Sequence, residues 1–474
     1  MLRTGLFFCF IVLISPGLAL TEAVGENGIN AYAVHARGIT GDGINIALLS
    51  AGNVRKSHAA FERPYGSAVT LYDFTDGEGL SRSNHDTHIA GIIISAGSPT
   101  HPEQIGIAPG AKIHSGRILN KTLQARGIQE ALDTLILKKN CRIIVTGIQL
   151  SSPTAVGNGD SYWTQLYDYY ADKYDVIFAN AAGNSSPRIT IFGDGYNGIT
   201  TAGLGKDSLG RYRKAGRISN SGPTQDARKK PDVAAPTEDL YVPSSKGDDL
   251  WDTVDPNGYG LTSYAIPFTA GVAALLLETA GKTPVQNDDR SEVIKAVMVN
   301  HTFTDLLDKN GKENYSETAT TWNSDYGYGR LDALQAYETL IAGQIVKDKT
   351  TKKQMGWAYD TISADTEHAY TIAAKRKQYL TVTVTWHRKL LKLSPETFLE
   401  EPAFYLNLKI ISPEGKIVVF ETPDRNNLLK IDYLCEQEGQ YKIVLKNPTQ
   451  THDRDYGLAF KLTDISGQNS TETK

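Results

Sequence analysis

The sequence predicts an α/β body built on a doubly wound, mostly parallel sheet, followed by a smaller antiparallel β-sandwich. Three observations lead there. Strand-length apolar runs recur without the alternation of a half-exposed strand, which is how strands buried on both faces read. Segments with helical spacing lie between those runs, the order expected of parallel strands joined by crossover helices. Beyond Lys353 the hydrophobic period changes to two, the mark of antiparallel strands with one face in a core.

Taken in order, the chain opens with Arg3, an apolar run from Leu6 to Leu13 and the small residues Gly17 and Ala19. That is the pattern of a secretory signal peptide over residues 1–19, and it predicts a secreted or periplasmic protein. Residues 20–346 are the predicted α/β domain. Its buried strands are Gly43 to Leu49, Ile143 to Leu150 and Val176 to Ala182, its helices include Thr87 to Ile94 and Ile128 to Lys138, and helical segments at 291–299 and 331–341 close the unit. Lys347 to Lys353 is charged and threonine-rich, and reads as a linker. The sandwich is expected over residues 355–465, with strands at Tyr379 to Trp386, Phe404 to Ile411, Lys416 to Phe420, Gly439 to Leu445 and Tyr456 to Leu462.

Composition narrows the classes. With 40% hydrophobic and 22% charged residues and a formal charge of -4, the chain reads as soluble and globular. No block of like charge marks a nucleic acid as partner. After removal of the signal no membrane span is expected. Cys9 lies in the signal, and Cys141 and Cys435 fall in different predicted domains, so no disulfide framework is expected. Asn120, Asn300 and Asn469 open Asn-x-Ser/Thr triplets. Nothing calls for a cofactor or a metal, and the oligomeric state is left open.

The chemistry centres on Gly260-Leu-Thr-Ser-Tyr-Ala-Ile-Pro267, which runs into the apolar stretch Thr269 to Leu277. A serine at a helix start meets unpaired N–H groups and a dipole that favours negative charge, so Ser263 is placed either as a nucleophile or as a cap. A base is offered by His85 in Asn84-His-Asp-Thr-His-Ile-Ala-Gly91. The Gly-x-Ser-x-Gly elbow of α/β-hydrolases is absent around Ser263.

These motifs resemble those of the subtilisin-like serine peptidases, the subtilases, and they come in the family's order. Gly41 to Ser50 is similar to the first catalytic strand, the His85 segment to the histidine motif, and Gly106 to Lys112 to the turn after the histidine helix. Ala181-Ala-Gly-Asn184 resembles the oxyanion loop, Ser219 to Thr224 with Lys230 to Pro236 the approach to the nucleophile, and Tyr326 to Asp332 the closing segment. The resemblance covers residues 28 to 343. It implies that Ser263 attacks the carbonyl of a peptide or protein substrate, that His85 takes its proton, and that Asn184 with the Ser263 N–H binds the oxyanion. It also implies that Gln149, Leu150 and Ser151 stand where the family pairs with substrate backbone.

The departures are as informative. Ser50 stands where the family has the aspartate of its triad; in a subtilisin, loss of that acid alone costs about 3 × 10⁴ in kcat. Asp86 follows the histidine and Leu261 stands two before the nucleophile, both in place of glycine. Glycine at such places permits backbone angles or close approach that a side chain forbids, so altered geometry is expected near Ser263. Asp86 reads either as a charge stabilising a helix start or as electrostatic support for His85, and the first is favoured because adjacent side chains on a helix diverge. Leu20 to Thr40, between Ala19 and Gly41, is shorter than the family's usual propeptide. The carboxy-terminal sandwich resembles the jelly-roll domains that follow many bacterial subtilases, with Asn407 and Lys409 where a calcium site would need carboxylates. Two readings follow: an exported serine endopeptidase weakened by the loss of its acid, or an inactive relative that binds extended peptide in the same cleft.

Overall fold

The computed structural model describes residues 19–464 except 151–156, 314–321, 402–404 and 424; residues 1–18 of the predicted signal peptide and Ser151 fall outside the described residues. Asn45–Ser50 (β1), Val69–Asp73 (β2), Lys112–Arg117 (β3), Cys141–Thr146 (β4), Ile177–Ala181 (β5), Ile199–Lys206 (β6), Val233–Pro236 (β7) and Arg330–Leu331 (β8) lie parallel in the order β8-β7-β6-β5-β4-β1-β3-β2. Thr302–Phe303 and Tyr212–Ala215 add antiparallel edges. Because β1 lies between β3 and β4, the chain winds away from it in both directions, and a crevice opens at the carboxyl end of β1. Ser50 is the last residue of that strand.

The apolar runs are explained by burial on both faces. Ile46 and Leu48 pack into the core on one side of the sheet, while Ala47 and Leu49 pack with Ile128, Leu132 and Leu166 on the other. The first side is filled by Asn84–Ile94 (α1) and Ile266–Gly281 (α2), the second by a helix at Tyr162–Tyr174. Residues 262–281 are long and apolar enough to cross a membrane, which corrects the expectation that no later segment is. Their burial makes them the central core helix, as an all-round apolar surface requires.

Two boundaries differ from expectation. The strand expected to reach Leu150 ends at Thr146, although Gly147 N–H still donates to the Leu49 carbonyl at 2.9 Å. The helix expected from Ile128 to Lys138 is α-helical over Ala125–Leu132 and widens into a π-helical turn at Asp133–Lys138. Two expectations about single residues are also settled. Asn300 is fully buried, so its triplet offers no surface for a glycan. Cys141 and Cys435 are free, and burial pushes both thiols up to about 12.

The carboxy-terminal strands are Met355–Ile362 (β9), Glu367–Ala374 (β10), Gln378–Thr385 (β11), Asn407–Ile411 (β12), Ile417–Glu421 (β13), Leu428–Leu434 (β14), Gly439–Lys446 (β15) and Arg454–Asp464 (β16). They form two sheets, β9-β16-β11-β14 and β10-β15-β12-β13, antiparallel throughout. Thr350–Thr351, expected to belong to a linker, adds a parallel edge to β10. The first sheet lies directly on the helix Ser291–Asn300 (α3). Thr383 Oγ1 donates to Asn300 Oδ1 at 3.0 Å, Thr385 Oγ1 to the Glu292 carbonyl at 2.8 Å, and Lys430 Nζ to the Val299 carbonyl at 3.0 Å.

Candidate active site

Three strand ends and one helix start converge at the carboxyl edge of the sheet. Ser50 closes β1, Gln149 follows β4, Asn184 follows β5, and His85 lies in the first turn of α1. Ser83 caps that helix, its Oγ accepting the Asp86 N–H at 3.1 Å. Ser263 sits in a short 3₁₀ turn, Thr262–Tyr264, that leads into α2.

The turn before Ser263 is held by a residue that no motif marks. Asp255, 3% exposed, accepts the N–H groups of Tyr259 (2.8 Å), Gly260 (2.8 Å) and Leu261 (3.2 Å). The positive backbone angle falls on Gly260, at φ +80°, where an added Cβ would come within 2.4 Å of Gly216. Leu261 has φ -63° and ψ 103°, ordinary for an L-residue, so its side chain forces no left-handed backbone angle there.

Asn184 reaches this turn. Its Oδ1 accepts from Thr262 N and from Thr262 Oγ1, both at 3.0 Å, which leaves Nδ2 as the end of the amide free to donate beside Ser263. Gln149 braces the loop, its Oε1 accepting Asn184 N–H at 2.9 Å and its Nε2 donating to the Asn184 carbonyl at 3.4 Å. Leu150 pairs with Ile191 in an isolated antiparallel bridge.

His85 faces the same turn: its ring lies 5.8 Å from that of Tyr264, the residue after Ser263. Among the described residues no hydrogen bond joins the Ser263 hydroxyl to the imidazole, a looseness common before substrate binds. His88, one turn further along α1, meets Tyr264 Oη at 3.3 Å and Asp252 Oδ2 at 3.2 Å. Burial lowers its pKa to about 4, and the pull of Asp252 does not offset that, so His88 stays neutral at neutral pH. Burial works against the Asp252 carboxylate, yet hydrogen bonds from Asn84, Ser244, Lys246 and His88 hold it well below the usual range.

Ser50 is not bonded to the imidazole. Its Oγ donates to Asp86 Oδ1 at 2.6 Å, with the Gly147 carbonyl at 3.3 Å, and the same Asp86 oxygen lies 3.2 Å from His85 Nδ1. The expectation that Asp86 and His85 diverge therefore fails. Adjacent side chains do diverge along a helix, but the Ser50 hydroxyl draws the carboxylate inward, to 1% exposure, under the ring nitrogen nearest the backbone.

The profile of the subtilase family matches residues 41–329, more than half of the chain. The chain belongs to the subtilase family. As a subtilase it is 24% identical over 265 residues to subtilisin E of Bacillus subtilis (strain 168), a match covering 53% of this chain and 60% of subtilisin E. It is 28% identical over 263 residues to the serine protease AprX of the same organism, covering 51% of this chain and 58% of AprX. The chain thus spans about 60% of the length of the first of these relatives. In three dimensions it is similar to the CspB protease of Clostridium perfringens, with 16% identity, a TM-score of 0.51, and coverage of 64% of this chain and 94% of that one. That likeness shows the fold alone. Among the described residues no group of three or more histidine, cysteine or carboxylate side chains is arranged to hold a metal ion.

Proposed function

We propose that this subtilase is an exported serine endopeptidase, with Ser263 as nucleophile, His85 as general base and Asn184 as oxyanion donor. The observation that carries the reading is the bond from the turn containing Ser263 to the Asn184 amide, with the His85 ring 5.8 Å from that of Tyr264 in the same turn. Membership of the family and the order of its motifs support it further.

In this reading Ser263 Oγ attacks the scissile carbonyl carbon while its proton passes to His85 Nε2, the ring nitrogen not facing Asp86. The carbonyl π electrons move to oxygen, where Asn184 Nδ2 and the Ser263 N–H receive the charge. The tetrahedral species collapses, the C–N bond breaks, and Nε2 delivers the proton to the departing amine. Water repeats the two steps on the acyl-enzyme and restores Ser263. Substrate backbone lies along the segment of Gln149, Leu150 and Ser151.

Export follows from the signal-like residues 1–19. Hydrolysis of fluorescein-labelled casein tests the enzyme reading. The purified protein is expected to cleave casein, and Ser263→Ala and His85→Ala each to lose nearly all of the activity. Equal cleavage by the Ser263→Ala protein would assign it to a contaminant and remove the reading.

A further inference from the structure

The family's triad position for aspartate holds Ser50, yet a buried carboxylate sits within reach of the base all the same. We propose that Asp86 supplies the acid of this site from the histidine helix, orienting His85 and stabilising its protonated form, with Ser50 acting as the hydroxyl that holds Asp86 in place. The inference rests on His85 being the base of the reading above, and it makes Asp86 a positioning residue.

The geometry supports this over a role in capping the helix. A capping aspartate at the third helical position turns back to accept the N–H of the cap residue. Here the Ser83 N–H is already taken by the Asn53 carbonyl at 2.8 Å, and Asp86 points away from it toward Ser50 and His85. Its Oδ2 is buried without a hydrogen-bond partner, so Oδ1 carries both of its contacts. Burial of a carboxylate costs free energy unless a paired or charged partner faces it, and His85 is the group that becomes charged during turnover.

Room for the carboxylate comes from Gly52. A Cβ there would lie 3.1 Å from Asp86 Oδ2 and 2.5 Å from Ser83 Cβ. Ser50 is short enough to fit between the end of β1 and the carboxylate, with Gly147 closing the other side. An aspartate at residue 50 would set a second carboxylate beside Asp86, where two like charges resist joint ionisation. The two positions thus form a set: the acid has moved to the helix and the strand has given up its own.

During proton transfer Asp86 accepts the Nδ1–H bond and keeps its charge, so Nδ1 holds its hydrogen and Nε2 is left to receive the Ser263 proton. The other titratable groups near His85 are His88 on α1, Tyr264 from the 3₁₀ turn, and Asp252 with Lys246 beyond His88. None of them contacts His85 Nδ1 among the described residues.

Two measurements on the full-length mature protein test the assignment. The rate of Ser263 labelling by a fluorophosphonate is compared across wild type, Asp86→Asn, Ser50→Asp and the Ser50→Asp/Asp86→Asn double variant. Asp86→Asn is expected to slow labelling by about 10³- to 10⁴-fold, the double variant to regain at least about tenfold of that loss, and Ser50→Asp alone to bring no gain. The Nδ1–H proton of His85 is followed by NMR in the same proteins, with its hydrogen-bonded downfield resonance expected in wild type and lost or shifted upfield in Asp86→Asn. Labelling of Asp86→Asn at the wild-type rate, a strong gain from Ser50→Asp alone, or an unchanged His85 Nδ1–H resonance in Asp86→Asn would each overturn the proposal. Should Ser263 label in no variant while the His85 Nδ1–H resonance still changes, the pairing stands and the peptidase reading fails instead.

Discussion

Asn184 is held at one end only. Its carbonyl oxygen is taken by Thr262, and the free end of the amide is what an oxyanion would meet. Asn184→Ala is therefore expected to lower kcat for a peptide substrate by about 10²- to 10³-fold with little change in KM; a change confined to KM would show that the side chain binds ground-state substrate instead. Ser263, His85 and Asn184 could be singled out as candidates because each sits in a short motif whose chemistry is local to the motif. For Asp86, support of His85 was legible only as the less favoured of two readings. Its contact with His85 depends on the Ser50 hydroxyl arriving from a strand thirty-six positions earlier, and nothing in the spacing of residues 84–91 announces that. Asp255 escaped for the same reason, since the N–H groups it receives are set by how the turn folds back over it.

Among the elements, those buried on both faces could be read from apolar runs, and the central strands and α2 fall close to where the sequence put them. The strands not read from the sequence are β2, β3, β6, β7 and β8 in the body and β9, β10 and β14 in the sandwich; the burial of these last three follows no strict alternation, and Trp357 of β9 and Leu428 of β14 lie in the core of the body. Trp357 in β9 shows the consequence. It is fully buried in the core of the α/β body, and its Nε1 donates to the Leu340 carbonyl at 2.9 Å. Trp357→Ala is expected to destabilise the protein by about 3–5 kcal/mol, read as a lower urea midpoint in a Ser263→Ala background that prevents self-cleavage. An unchanged midpoint would mean that the two parts unfold independently.

At the scale of the whole molecule, the sandwich is joined to the body through buried polar groups, among them Lys430. Burial lowers its pKa to about 8, with Asp432 opposing and Lys461 adding to the shift. In the unfolded chain a lysine titrates near 10.4, so between about pH 8 and that value the unfolded state binds more protons and stability rises with pH. Urea unfolding of the Ser263→Ala protein is expected to show this rise between pH 8 and 9.5, and Lys430→Met to flatten it by up to about 1 kcal/mol per pH unit. Parallel profiles for the two proteins would mean that Lys430 does not titrate in this window. The period change beyond Lys353 revealed that a second sheet system follows, but not that it packs on α3, because docking surfaces carry no period of their own.

In the proposed mechanism Ser263 is a nucleophile activated by His85 at the carboxyl edge of the sheet. Reaction of the purified mature protein with diisopropyl fluorophosphate, followed by tandem mass spectrometry of its peptides, tests it most directly. A single stoichiometric adduct on Ser263 is expected, and its loss in His85→Ala. An unmodified Ser263 in a folded wild-type protein, or modification that persists equally in His85→Ala, would contradict it.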